Sequence, residues 1–340
     1  MGFLIMNQIR RNTSLILCIM ISFSVFNTNC RVDPNPKGSL FDPGTTGGLI
    51  NSFVLYDALS GGPSRTWTSF VSPFGTMDPT DSLVFDQLTT TTYAIYIKNT
   101  NLTTRLYSSS DGLNYSQVGN QINNTNTNIF GAFTSRFQLS NYNTTDSGVN
   151  WNSSTIPGFC LVKYNNTSAY ILDGTAVERT IDSGLSTNTL TSSPAYPSRN
   201  SGVCSFGNGK AYLLGGKNGS SNLFDFWEST DGINWSLLTE RVKPTSGGGF
   251  NLPCNVIQNA NDTSILGLVY SDVTTYKFHI IFSNLALLQS NDGQTWQCTN
   301  PNLNYNSEFN SIANRAVLIG NRLFVYGISS SGPQNVYTDL

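Results

Sequence analysis

The side chains on which most enzymes rely are scarce in this chain, and their placement excludes several chemistries. His279 is the single histidine in 340 residues. A His/Cys zinc site and a Ser-His-Asp relay away from that residue are therefore not expected, and no Cys-x-x-Cys pair compensates. The glutamates are Glu178, Glu228, Glu240 and Glu308. No Gly-rich loop follows a strand to open a helix, so phosphate cradling is not indicated, and Gly247-Gly248-Gly249 reads as a connection between repeats. No metal or organic cofactor is expected. What does recur is an aspartate two residues after a Ser or Thr and shortly before a Gly. Its fullest copy is Ser229-Thr230-Asp231-Gly232-Ile233-Asn234-Trp235. Asp-Gly between two β-prone runs is a hairpin signal, because the turn needs positive φ, and the Ser hydroxyl and Asp carboxylate can accept amide hydrogens inside it. Asp231 thus reads as the brace of a turn and not as a catalytic acid, with Trp235 as an apolar anchor at the start of the next strand.

The same turn forms a column along the chain. Its members are Ser109 to Tyr115 around Asp111, Thr144 to Trp151 around Asp146, Thr180 to Thr187 around Asp182, the copy at Asp231, and Ser290 to Trp296 around Asp292. The copies at Asp146 and Asp182 carry one extra residue before the glycine. Gly61-Gly62-Pro63-Ser64-Arg65-Thr66-Trp67 matches only the closing half. The anchor positions are Trp67, Tyr115, Trp151, Thr187, Trp235 and Trp296. Repeats of this length with several short strands each indicate an all-β propeller, most simply six four-stranded blades, with five or seven left open. Second strands are expected at 93–97, 169–172, 211–214, 266–270 and 323–327. The interval ending at Trp151 hardly leaves room for a full blade. After Trp296 the chain supplies three strand-like runs ending at Val336-Tyr337-Thr338-Asp339, and residues 65–70 look like the missing fourth. The N-terminal strand is therefore expected to complete the last blade and leave no open seam.

Composition agrees with many short strands joined by polar turns: 11% of residues are charged and 12% aromatic. A net charge of −2 argues against a nucleic-acid partner. Residues 1–30 read as an export signal, with Arg10-Arg11 before an apolar core at 15–23 that is too short for a comfortable span. Residues 31–48, rich in Pro and Gly, read as a tether, and 49–340 as the propeller. Cys30, directly after the signal core, resembles the acylated cysteine of a bacterial lipoprotein. Asn27 and Asn29 depart from the usual small residues, a loosened box similar to that of spirochaetal, Leptospira-like lipoproteins. The resemblance implies lipid anchoring at a bacterial outer membrane, facing the periplasm or the outside. Of the remaining cysteines, Cys160, Cys204 and Cys254 occupy the same place in three successive repeats. These and Cys298 read as free buried thiols, although an even number in an exported chain permits two bridges.

Gly215-Gly216 followed by Trp227 and Asp231-Gly232-x-x-Trp235 resembles bacterial kelch-like propellers, and Thr144 to Trp151 resembles the Asp-box of sialidase-type propellers. The resemblance implies a monomeric binding or scaffold module for a protein or glycan partner. Its alternative is a sialidase-type glycosidase, whose arginine triad would map onto Arg136, Arg199 and Arg315 near the starts of inner strands, facing the channel. The Arg-Ile-Pro segment of that family is absent, and Pro197-Ser198-Arg199 also fits a loop brace. Function is expected where the repeats differ, around 244–262 and 271–284, with Tyr142 and Tyr305 as loop aromatics.

Overall fold

In the computed structural model the described residues are 64–75, 77–78, 81–123, 129–244, 254, 265–301, 315–327 and 335–340. They form six four-stranded antiparallel sheets. Blade 1 contains Ser82–Leu88, Thr91–Lys98, Thr103–Ser109 and Ser116–Asn123. Blade 2 contains Phe130–Ala132, Phe137–Leu139, Tyr142–Thr144 and Asn152–Ser153. Blade 3 contains Cys160–Lys163, Ala169–Asp173, Ala176–Thr180 and Asn188–Thr191. Blade 4 contains Val203–Gly207, Lys210–Asn218, Ser221–Ser229 and Ser236–Thr239. Blade 5 contains Ile265–Tyr270, Phe278–Phe282, Leu287–Ser290 and Gln297–Pro301. Blade 6 contains Ala316–Ile319, Arg322–Tyr326 and Asn335–Asp339, and its fourth strand is Thr68–Phe70. The chain is a six-bladed β-propeller.

Burial follows radius. Second strands are sandwiched between two blades, so they read as unbroken apolar runs: Ala211, Tyr212, Leu213 and Leu214 are all buried. Outermost strands such as Asn188–Thr191 and Ser236–Thr239 are exposed or half-buried and carry polar residues. The apolar core lies between blades. Phe226 and Trp296 meet edge-on at 5.8 Å across the blade 4–5 seam, and Trp235 meets Tyr196 at 5.2 Å in the cluster that joins blades 3 and 4. Burying about 200 Å² of an indole stabilises by roughly 5 kcal/mol before side-chain ordering is subtracted.

The ring closes as the sequence implies. Thr68 pairs with Tyr337 and Phe70 with Asn335, antiparallel, while Trp67 is 3% exposed against Leu287, Val325 and Val336. Ser64–Arg65 adds a short parallel edge to Asn300 and Pro301 of blade 5. Three expectations need correction. Blade 2 is complete, because strands of two or three residues suffice when Phe130, Phe137 and Leu139 reach the neighbouring core. Residues 266–270 form the innermost strand of blade 5; its second strand is Phe278–Phe282, which is equally apolar, so hydrophobicity alone does not rank the two. Finally, the cysteines are bridged, Cys160 to Cys204 and Cys254 to Cys298. The equivalence of Cys160 and Cys204 is itself the reason. Each lies in the innermost strand of its own blade, and adjacent innermost strands face each other, leaving Cα atoms 6.3 Å apart.

Candidate functional site

The five Asp turns share one hydrogen-bond scheme. In blade 4 the Asp231 Oδ1 accepts from the amides of Ile233 and Asn234, each at 2.8 Å, and from the Ser229 hydroxyl at 3.1 Å. Oδ2 takes the Asn234 side-chain amide at 2.8 Å, and the Ser229 hydroxyl oxygen accepts from Gly232 N at 2.9 Å. Gly232 has φ +76°, and an added Cβ would stand 2.6 Å from the Tyr170 ring of blade 3, so both conformation and contact demand glycine. In blades 2 and 3 the extra residue, Ser147 or Ser183, also takes positive φ. Trp235 and Trp296 donate their indole N–H to the carbonyls of Gly232 and Gly293; Trp151 donates to Asn120 of blade 1. For Asp111 and Asp146 the amides of Asn114 and Asn150 are the first cause of a pKa lowered to about 2. Around Asp231 and Asp292 burial opposes ionisation, but the donated hydrogen bonds outweigh it and again leave about 2. Asp182 is lowered in the same way against burial. Carboxylates held ionised by their own turns are poor proton donors near neutrality.

The three arginines are not brought together. Arg199, 2% exposed, makes a two-pronged pair with Asp225 at 3.0 and 2.8 Å and donates to Gly215 O at 2.6 Å and Pro197 O at 3.1 Å, with Tyr196 under its guanidinium. Arg315, also 2% exposed, donates to Gly327 O at 2.9 Å and Asp81 O at 2.6 Å. Burial lowers its pKa to about 10. Both precede an inner strand, as expected, but each ties a glycine carbonyl, Gly215 within the second strand of blade 4 or Gly327 just after that of blade 6, to a neighbouring segment, and neither lines the channel cavity. Arg136 departs further. It lies in the hairpin that joins the first and second strands of blade 2, at the opposite face, and donates to Asn143 at 3.0 Å. The expectation failed because the innermost strand of blade 2 is only three residues long and sits earlier in the chain.

The channel is instead occupied by a pair that the repeat analysis did not flag. Lys163 and Asp86, at the inner strands of blades 3 and 1, meet at 2.8 Å across the short blade 2. The same ammonium donates to Ala132 O at 2.7 Å and to Gln87 O, and Asp86 Oδ2 also accepts from Ala132 N at 2.7 Å. Burial pushes the Asp86 carboxyl above its ordinary value, with Lys163 pulling the other way. Around this pair remains a cavity of about 270 Å³ reaching Phe206 and Tyr270. A lone charge near the end of each inner strand was the only sequence signal, and a charged residue at a strand end is ordinary.

His279 is fully buried. It accepts at Nδ1 from the Gln289 amide at 3.2 Å and donates from Nε2 to Tyr276 O at 2.8 Å; burial holds it neutral, with a pKa of about 4. Glu228 pairs with Lys210 at 2.8 Å. Tyr142 opens the third strand of blade 2 and packs into its core, so it is no loop aromatic. On blade 4 a depression of about 340 Å³ is lined by Phe224, Trp227, Leu237, Glu240 and Arg241. Among the described residues no group of three His, Cys, Asp or Glu is placed to hold a metal ion. Cys30, Tyr305, Glu308, Gly247 to Gly249 and most of 244–262 lie outside the described residues.

Fold and site together define a β-propeller, a fold that does not by itself fix a function. No protein-family model matches the chain, and no curated protein matches it. It is similar to a solved structure described as YCF48 bound to D1 peptide, with 16% identity and TM-score 0.44 over 82% of this chain and 97% of that one. It is also similar to a structure described as YjhT, with 11% identity and TM-score 0.46 over 79% and 96%. At these identities the likeness bears on the fold alone.

Proposed function

We propose that this chain is an exported lipoprotein, acylated at Cys30, whose propeller serves as a binding or scaffold module for a protein or glycan at a bacterial outer membrane. The observation that carries the reading is how the arginines are used. Arg136, Arg199 and Arg315 sit on blades 2, 4 and 6, and each is committed to bracing loops or strands, Arg315 reaching the start of blade 1 as well. Sialidase-type hydrolysis would need such groups convergent and available to a substrate carboxylate. The depression on blade 4, with its aromatic walls and mixed charges, is of the kind that recognises without reacting. The signal-like segment before Cys30 and the Pro/Gly-rich stretch after it support a tethered domain.

Protease shaving of intact cells, combined with mass spectrometry of the mature N-terminus, tests anchoring and exposure together. The expected result is an acylated Cys30. A mature N-terminus elsewhere without lipid overturns the anchor. Turnover of a fluorogenic sialoside that disappears in Arg199→Lys, a variant that keeps the charge, overturns the non-catalytic reading.

A further inference from the structure

In each blade the hairpin after the first strand and the turn before the fourth lie at the same face of the ring, because successive strands alternate in direction. The hairpin between second and third strands, and the link to the next blade, lie at the other face. Among the described residues eight large apolar side chains are exposed, and five of them, Val149, Ile181, Leu185, Ile233 and Val273, stand at the Asp-turn face. Exposed apolar residues scattered singly need no explanation, but five gathered at one face do. Val149, Leu185 and Ile233 each follow the glycine of their turn. The turn needs only the main chain there: the three amides donate to Asp146 O, Asp182 O and the Asp231 carboxylate. Polar side chains would serve equally well, yet blades 2, 3 and 4 all carry aliphatic ones. Blade 1 tucks its counterpart, Leu113, against the cluster it shares with blade 6, and blade 5 has Gln294. Blade 5 continues the arc with Val273, 79% exposed in the hairpin after its first strand.

Equivalent positions in a ring of repeats lie at one height along its axis, so these tips share a plane, with polar turn residues between them. A protein partner buries a contiguous patch, whereas a bilayer takes separate aliphatic tips at a common depth. The course of the chain points the same way. The Thr338 hydroxyl donates to Thr66 O at 2.7 Å and Arg65 donates to the Asp339 carbonyl, at the end of the third strand of blade 6 where an Asp turn would begin. The closing strand therefore enters blade 6 from the Asp-turn face, and residues 31–63, about 110 Å of contour, lead from there to Cys30. The charges within the same turns and hairpin are Asp146, Asp182, Asp231 and Asp272 against Lys277, an acidic balance that suits zwitterionic and not anionic lipid.

We propose that the Asp-turn face rests on a zwitterionic lipid surface, its five aliphatic tips entering the headgroup boundary. The assignment rests on the reading of the chain as a membrane-tethered module. Docking turns the other face outward and with it the blade 4 depression, whose lining includes Pro197 of the link between blades 3 and 4 and Asn222 beside the second hairpin of blade 4. Co-sedimentation of residues 31–340, which contain the whole closed ring, with phosphatidylcholine vesicles tests the face without any acyl group. Binding is expected at about millimolar lipid, a weak contact that a tether makes persistent. Leu185→Ser should weaken it about fivefold, the share of one largely exposed aliphatic side chain. Val149→Ser/Leu185→Ser/Ile233→Ser should abolish it with the melting temperature unchanged, and Val71→Ser/Leu102→Ser, at the other face, should bind as wild type. Absence of binding, binding kept by the triple variant, equal loss from the other-face pair, or a preference for anionic vesicles overturns the face. A wild-type dimer that the triple variant splits, without vesicle binding, assigns the face to a second copy and overturns the bilayer. Because the tested chain lacks Cys30, these failures leave the anchor standing; an unacylated N-terminus in cells, with vesicle binding intact, strikes the anchor alone.

Discussion

Replacing Asp231 by alanine removes one carboxylate and four donated hydrogen bonds from the blade 4 turn: two main-chain amides, the Asn234 side-chain amide and the Ser229 hydroxyl. The released amides lie at the surface and return to water, so the loss should resemble that of a helix-capping side chain, about 1–2 kcal/mol. The carboxylate stands largely in solvent, and screening keeps the effect below what its lowered pKa alone would suggest. For a domain of this size the melting temperature should fall by roughly 2–6 °C. The pH dependence is the sharper test. The folded-state pKa is about 2, below the ordinary carboxylate value. The stabilisation is therefore complete above the unfolded-state value near 4 and fades as the pH falls from about 4 to about 2. Urea unfolding of wild type and Asp231→Ala should differ at pH 7 and converge towards pH 2, with Asp231→Asn intermediate at pH 7. A variant as stable as wild type at pH 7, or a gap of the same size at pH 2, would refute the turn-brace account.

Other perturbations reach different parts of the ring. Each bridge closes a separation of 44 residues, so a Cys160→Ala/Cys204→Ala protein should lose about 4 kcal/mol by loop entropy, read from its denaturant midpoint; four titratable thiols at Cys160, Cys204, Cys254 and Cys298 in unreduced protein would contradict the pairing. Arg199→Met strands Asp225 in a mostly buried place and should lose roughly 3–5 kcal/mol, most of it regained in Arg199→Met/Asp225→Leu when the two are compared by chemical denaturation. Truncation to residue 71 removes Trp67 and the fourth strand of blade 6; circular dichroism and size exclusion should report lost cooperativity and aggregation.

Six blades and the closing strand were legible because Asp, Gly and Trp recur at fixed offsets, and a turn requiring positive φ and an apolar anchor leaves the same trace each time. The Arg199 brace was legible too, in Pro197-Ser198-Arg199 before a strand. What escaped depends on contacts between blades. That Cys160 and Cys204 face each other follows only once innermost strands are neighbours, and three cysteines in equivalent places look alike on paper whether bridged or not. Lys163 and Asp86 are 77 residues apart and meet only because blade 2 is narrow.

The closing strand also sets how the ring answers a mechanical load. Tension entering through the residues before Ser64 first meets a two-residue parallel edge and then three paired residues, Thr68–Phe70, so the clasp is the weakest link in that direction. Once it opens, the two bridges cap the extension. Each withholds 44 residues, about 150 Å of contour, from the pull. A ring of this design yields at its clasp by a short step and keeps blades 3 and 5, which the bridges enclose, within reach of refolding.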